Sequence, residues 1–168
     1  MNIDTAALVQ AVGDAVVVCD ASGAIVAWNP GAERMFGFSA AEALGAPLDI
    51  IIPERLKKRH WDGYHVTMAT GVTKYGHDVL RVPAVDKAGR AMSIAFTVAM
   101  LNGADGKPEA IVSVIRDETE RFAQERALKK RIADLEAAAA AGGAPAASAC
   151  PAAGHPAEAP PPRGCPHA

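Results

Sequence analysis

One histidine of this chain lies in a segment suited to binding a ligand. His60 stands between Arg55 and Tyr64, and Leu56, His60, Tyr64 and Met68 follow one another at intervals of four residues. In a helix this spacing places the four side chains on one face. A neutral imidazole on such a face can ligate a metal through one ring nitrogen and donate a hydrogen bond from the other. The same spacing also fits a core histidine that binds nothing.

The surrounding residues predict the elements that must position His60. A helix is expected from Glu54 to Thr70, because Pro53 precedes it and Gly71 can end it. Apolar or alternating runs flanked by turn residues predict strands. Five are expected: Ala15–Cys19, Ile25–Trp28, Asp78–Asp86, Met92–Leu101 and Ala110–Arg116. Helices inserted between the second and third strands indicate an α+β fold with a five-stranded antiparallel sheet and short helices on one face. Pro83 predicts an edge or a bulge in its strand.

The stretch from Gly23 to Gly45 has dense turn and capping signals. Asn29-Pro30 ends the second strand and begins a short helix that Gly37 closes. Ser39 and Glu42 then form a capping box for a second short helix.

Both ends of the chain predict further helices. Residues Asp4–Val12 form a short amphipathic helix that can cover a sheet edge or pair with a second copy. In the helix after the last strand, Leu128, Ile132 and Leu135 have coiled-coil spacing over barely two heptads, which favours a dimer-assisted or a fraying helix. We therefore expect a cap helix (1–13), a central domain (14–119), a C-terminal helix (120–141) and a disordered Ala/Pro-rich tail (142–168).

The order of these motifs resembles a PAS domain, the small sensory module of signalling proteins. The resemblance covers about residues 12–119: the Gly23–Gly45 stretch, Lys87-Ala-Gly89-Arg90 at the family's Lys-Asp-Gly hairpin, and Asp117-Glu-Thr119 at its Asp-x-Thr junction. It implies the PAS fold with a C-terminal signalling helix. Asp117 and Thr119 can cap that helix, and Asp117 can pair with a basic residue at the domain edge. These two residues are thus the expected signal relay.

His60 also matches a position in the haem-binding PAS domains of bacterial oxygen-sensor proteins. There the proximal histidine follows a Pro-rich helix start and precedes a tyrosine, as His60 follows Ile52-Pro53 and precedes Tyr64. The resemblance implies haem b with His60 on the iron. A rigid count places Leu80 where that family has a distal arginine, and His77 and Arg81 are alternative distal groups. The expected apolar pocket comprises Ile50, Ile52, Leu56, Met68, Leu80, Ile94, Phe96, Val112 and Val114.

The sequence leaves other functions and other bound groups open. The chain fits equally a PAS domain without cofactor that dimerises, binds another protein or senses a small organic ligand. The resemblance to the light-sensing flavin PAS domains, which use a cysteine in an Asn-Cys-Arg-type helix motif, disfavours flavin–thiol photochemistry here, because no cysteine lies between residues 20 and 149. The tail residues Cys150, His155, Cys165 and His167 could bind regulatory haem or zinc, although their spacing matches no zinc finger and a low-complexity tail is the simpler interpretation.

The composition argues against several kinds of binding partner and several classes of protein. The net charge of −2 gives no broad basic field for nucleic acid or an anionic membrane, and no apolar run is long enough to span a bilayer. No secretory signal is evident, the cysteines form no disulfide framework, and a cytoplasmic location is expected. No catalytic motif is evident, so the chain is not expected to be an enzyme. We expect a homodimer formed through the N-terminal and 120–141 helices, and a separate output protein such as a kinase or regulator.

Overall fold

A computed structural model describes residues 4–73, 75 and 77–141. The strands are β1 (Ala15–Asp20), β2 (Ile25–Trp28), β3 (Leu80–Val85), β4 (Ala91–Asn102) and β5 (Pro108–Asp117). The helices are α1 (Thr5–Ala11), α2 (Pro30–Phe36), α3 (Ala40–Ala43), α4 (Glu54–Thr70) and α5 (Thr119–Ala141). A 3₁₀ turn spans Leu48–Ile51. The chain divides into two compact units, the first ending at Lys130 and the second beginning at Arg131.

The strands form one antiparallel sheet in the order β2-β1-β5-β4-β3. This confirms the predicted α+β fold with five antiparallel strands. It also places β3 at an edge of the sheet, one of the two positions that Pro83 predicted. The last strand in sequence, β5, lies in the middle of the sheet between β1 and β4. Residues distant in the chain therefore meet on the central strands.

The core lies between one face of the sheet and the helices α2 to α4. Val17, Ile25 and Phe36 are almost completely buried there, and Trp28 packs against Phe36 with ring centroids 5.5 Å apart. Helix α2 begins at Pro30, since proline suits the first position of a helix. Asn29 caps this helix, because its side chain accepts a hydrogen bond from the Ala32 amide. The Ser39–Glu42 pair is also present, since Glu42 Oε2 accepts from the Ser39 amide at 2.9 Å.

The terminal helices are more exposed than the rest. Helix α1 contacts α2, and none of its residues is buried. No residue of α5 is buried either, and Leu128 is exposed. In the second unit, the described residues 131–141 continue the helix with Ile132 and Leu135 exposed. The predicted tail, with Cys150, His155, Cys165 and His167, lies outside the described residues.

A candidate ligand cavity beneath helix α4

A cavity of about 830 Å³ lies between helix α4 and the inner face of the sheet. Its walls are mostly apolar, and this volume falls in the range of cofactor and ligand pockets. The strand residues that line it are Val17, Cys19, Leu80, Arg81, Val82, Pro83, Ala84, Ile94, Phe96, Val98, Met100, Ile111, Ser113 and Ile115. Helix α4 and the preceding turn contribute the apolar side chains of Leu48, Ile51, Ile52, Leu56 and Val66, the polar or charged side chains of Arg59, His60, Asp62, Tyr64 and Thr67, and Gly63.

Two polar contacts hold helix α4 over this cavity. The hydroxyl of Tyr64 donates to the backbone carbonyl of Asp20 at 2.5 Å, which ties the helix to the end of β1. The indole Nε1 of Trp61 donates to Asp49 Oδ1 at 2.7 Å, which ties it to the 3₁₀ turn. The helix ends at Gly71, whose φ of 70° is the left-handed conformation that glycine adopts at little cost. These contacts thus fix the position of the helix that carries His60.

The imidazole of His60 is the polar group of this site that could bind a ligand. Its Nε2 atom is buried and has no hydrogen-bond partner among the described residues. The imidazole lies edge-on to Trp61, with ring centroids 5.0 Å apart, and its centroid is 5.9 Å from that of Tyr64. Burial lowers the pKa of His60 below 6.5, and the nearby Asp49 charge partly opposes that shift. A buried imidazole kept neutral retains a lone pair on one ring nitrogen, which is the form that ligates a metal.

Several of the residues predicted to surround a ligand meet in this cavity. Leu56 and His60 approach from α4, Leu80 from β3, and Ile94 and Phe96 from β4. Leu80 and Phe96 are directly paired across the two strands. Ile52 also lines the cavity, whereas Ile50 packs elsewhere against the core.

The prediction for β5 named the wrong face of that strand. Val112 and Val114 do not line the cavity, and Val114 is 40% exposed. Successive side chains of a strand point to opposite faces, so Ile111, Ser113 and Ile115 face the cavity instead. Residues 110–115 are apolar in both registers except at Ser113, and the pairing of the strand with β1 and β4 decides which set faces inward.

Three further predicted residues also lie outside the cavity or at its edge. Met68 packs against the core, but does not line the cavity. His77 is exposed in the segment before β3. Arg81 borders the cavity, yet its side chain is 60% exposed and its Nε donates to Glu118 Oε2 at 3.3 Å. Its guanidinium is therefore engaged with Glu118 at the start of α5.

Two side chains of the sheet wall that carry sulfur or oxygen, Cys19 and Ser113, were not predicted to line the cavity. Cys19, expected only as the last residue of a strand, is a buried free thiol, and burial raises its pKa to about 12. Ser113 was not singled out at all. Neither had a signal in the sequence, because their orientation depends on the pairing of β1 with β5.

The junction between β5 and α5 contains both predicted relay residues. The carboxylate of Asp117 accepts from the Thr119 amide at 2.8 Å and so caps the helix. The hydroxyl of Thr119 accepts from the Ser93 amide on β4 at 3.0 Å. The ion pair expected of Asp117 belongs instead to its neighbour Glu118, which contacts Arg81 and Arg121. The start of α5 is thus bonded to both β3 and β4.

Residues 4–117 match the PAS fold family, and this chain belongs to it. PAS domains are sensory modules of signalling proteins. An uncharacterized protein from Azorhizobium caulinodans is 31% identical over 118 residues, which cover 70% of this chain and 16% of that protein. The sensor protein FixL from Bradyrhizobium diazoefficiens is 39% identical over 57 residues, or 34% of this chain and 11% of FixL. The chain thus spans less than a fifth of the length of either relative.

A solved PAS domain of a protein from Colwellia psychrerythraea has the same fold. It superposes with a TM-score of 0.61 at 22% identity, over 69% of this chain and 95% of that one. Within the described part of the present chain, no helix is long and apolar enough to cross a membrane.

Proposed function

We propose that this PAS domain is a sensor that binds haem b through His60. The observation behind the proposal is the buried, unpartnered Nε2 of His60 on the wall of an apolar cavity of about 830 Å³. A buried polar atom without a partner is unfavourable, and ligation to a metal would satisfy it. The resemblance of the His60 segment to haem-binding PAS domains and the partial similarity to the sensor protein FixL support the same function.

The residues present fit this group. Haem needs an axial ligand and an apolar enclosure, which His60 and the side chains of Leu56, Leu80, Ile94 and Phe96 would provide. When bound, the haem iron supplies a site that takes a diatomic gas or changes its oxidation state. The protein's own part is to hold the imidazole neutral and oriented, and to keep water from the interior with apolar walls.

The contacts at the start of α5 offer a route from the cavity to a partner. Leu80 lines the cavity, and the adjacent Arg81 is bonded to Glu118 at the start of α5. Thr119 is bonded to Ser93, which lies beside the cavity residue Ile94. A displacement of β3 or β4 would therefore alter the packing of α5. We infer that α5 relays the signal through Asp117 and Thr119 to a separate output protein, such as a kinase or regulator.

A haem titration of the purified protein tests the proposal. We expect a Soret band at one haem per chain in the wild type, and its loss in His60→Ala. The matched control is His77→Ala, because His77 is exposed and does not line the cavity. An unchanged Soret band in His60→Ala, or equal loss in both variants, would show that the assignment is wrong.

A second candidate is a dimerisation or interaction module without cofactor. It is favoured by the exposed apolar side chains of the terminal helices, with Leu8 55% and Leu128 62% exposed. Light scattering on the haem-free protein separates this function from the first. A dimer that Leu128→Glu dissociates, together with no haem uptake, would favour the interaction module.

A further inference from the structure

Ser113 lies at the centre of the sheet and faces the cavity. It is on the middle strand β5, paired with Val17 of β1 on one side and with Val98 of β4 on the other. All three residues line the cavity. Helix α4, which contributes His60, packs against β5. The hydroxyl of Ser113 and the imidazole of His60 therefore approach the same space, one from the sheet and the other from the helix.

This hydroxyl is isolated among apolar neighbours. Of the strand side chains that line the cavity, Ser113 is the one with an O–H group, and the Cys19 thiol is only a weak donor. Arg81 borders the cavity but bonds to Glu118. Within the described ranges the Ser113 side chain has no hydrogen-bond partner. A serine hydroxyl rotates freely and can donate to an acceptor within reach.

We propose that Ser113 is the residue that hydrogen-bonds a small ligand held at the haem iron, and so sets which ligands the domain prefers. This inference rests on the proposed function. The preferred class is a diatomic molecule whose outer atom becomes negatively polarised on binding, since a hydroxyl stabilises such an atom. Apolar surroundings strengthen this hydrogen bond relative to one in water. Leu80 and Phe96, the paired cavity residues of β3 and β4, have no polar side-chain atom that could replace it.

Ser113→Ala tests the inference in the haem-loaded protein. Loss of one hydrogen bond should raise the dissociation rate of oxygen about fivefold. It should also move the C–O stretching frequency of the carbon monoxide adduct to higher values, a spectroscopic readout independent of signalling activity. Ser113→Thr retains a hydroxyl and should stay close to the wild type. Thr97→Ala is the matched control, because Thr97 is on β4 between two cavity residues and faces the other side of the sheet.

The outcomes separate this inference from the proposed function. Haem bound through His60, with oxygen dissociation and the C–O frequency unchanged in Ser113→Ala, would overturn the role of Ser113 alone. The same shift in Thr97→Ala would do so too, because the effect would then not be specific to the cavity. A wild-type protein that takes up no haem would overturn both.

Discussion

Arg116 and Asp14, which lie 102 residues apart in the sequence, form a bidentate ion pair. Arg116 Nε donates to Asp14 Oδ1 at 3.1 Å, and its Nη2 donates to Asp14 Oδ2 at 2.6 Å. Asp14 precedes β1, and Arg116 is near the end of β5, one residue before the capping Asp117. The pair thus joins the segment that follows α1 to the segment that leads into α5.

Replacing Arg116 by Gln should weaken this junction without unfolding the domain. The hydrogen bond and charge of Arg116 lower the pKa of Asp14 below 3.8, so the pair contributes stability above that pH and loses it as the pH falls through the lowered pKa. Because both side chains are partly exposed, we expect a decrease in Tm of a few degrees at most, visible at low salt and reduced at high salt. Thermal melts at two ionic strengths and at neutral and acidic pH measure this. A decrease that is independent of salt would contradict the ion-pair explanation.

Asn29→Ala should be among the most destabilising substitutions. Asn29 is 1% exposed, and its Oδ1 accepts from the amides of Val16 at 2.8 Å and Ala32 at 2.9 Å. Its Nδ2 donates to the carbonyl of Asp14 at 3.0 Å. Alanine leaves these backbone groups without their partner, and we expect a loss of about 3 kcal/mol in the free energy of unfolding. Urea denaturation measures it.

Asn29→Asp is the comparison for that experiment. Aspartate retains the acceptor for Val16 and Ala32, but loses the donor to Asp14. Its stability should fall between those of the wild type and Asn29→Ala. Equal stability of Asn29→Ala and the wild type would show that these bonds contribute nothing.

Gly23→Ala should displace Trp61. Gly23 has φ of 85°, and a Cβ built there would lie 2.2 Å from Cη2 of the Trp61 ring. Relief of that collision must move the indole that donates to Asp49. Gly89 has φ of 77° with nothing within 4 Å of its Cβ position, so Gly89→Ala has similar backbone strain and no collision. We expect a loss of about 1 kcal/mol for Gly89→Ala and about 3 kcal/mol for Gly23→Ala.

Tryptophan fluorescence and urea denaturation of Gly23→Ala and Gly89→Ala measure this difference. The emission of Gly23→Ala should shift relative to the wild type, because Trp61 moves, whereas that of Gly89→Ala should not. Equal destabilisation of the two variants would mean that Trp61 accommodates the methyl group.

The haem-free protein should lose stability as the pH falls through the range where histidine titrates. Burial lowers the pKa of His60 below its unfolded value of 6.5, so the unfolded chain binds the proton first. Stability is therefore present above about pH 6.5 and decreases as the pH falls through the lowered pKa. In His60→Leu this part of the pH dependence should vanish. Denaturant unfolding from about pH 8 to about pH 5 measures the slopes, and identical slopes would contradict a buried neutral His60.

The sequence alone determined the fold and the helix of the candidate site. Asn29-Pro30, Gly37 and the Ser39–Glu42 pair are local signals whose capping and turn geometry depends on neighbouring residues only. The spacing of Leu56, His60 and Tyr64 likewise depends only on helix periodicity, and the structure places them along one wall of the cavity.

The tertiary structure alone decided what faces His60 from the sheet. Residues 110–115 are apolar in both registers except at Ser113, so period-two alternation gives no preferred face. The pairing of Ser113 with Val17 and Val98, residues far away in the chain, turned that hydroxyl inward and Val114 outward. The guanidinium of Arg81, which borders the cavity, likewise bonds to Glu118, 37 residues further along. Such orientations arise from contacts between distant segments, which no local pattern encodes.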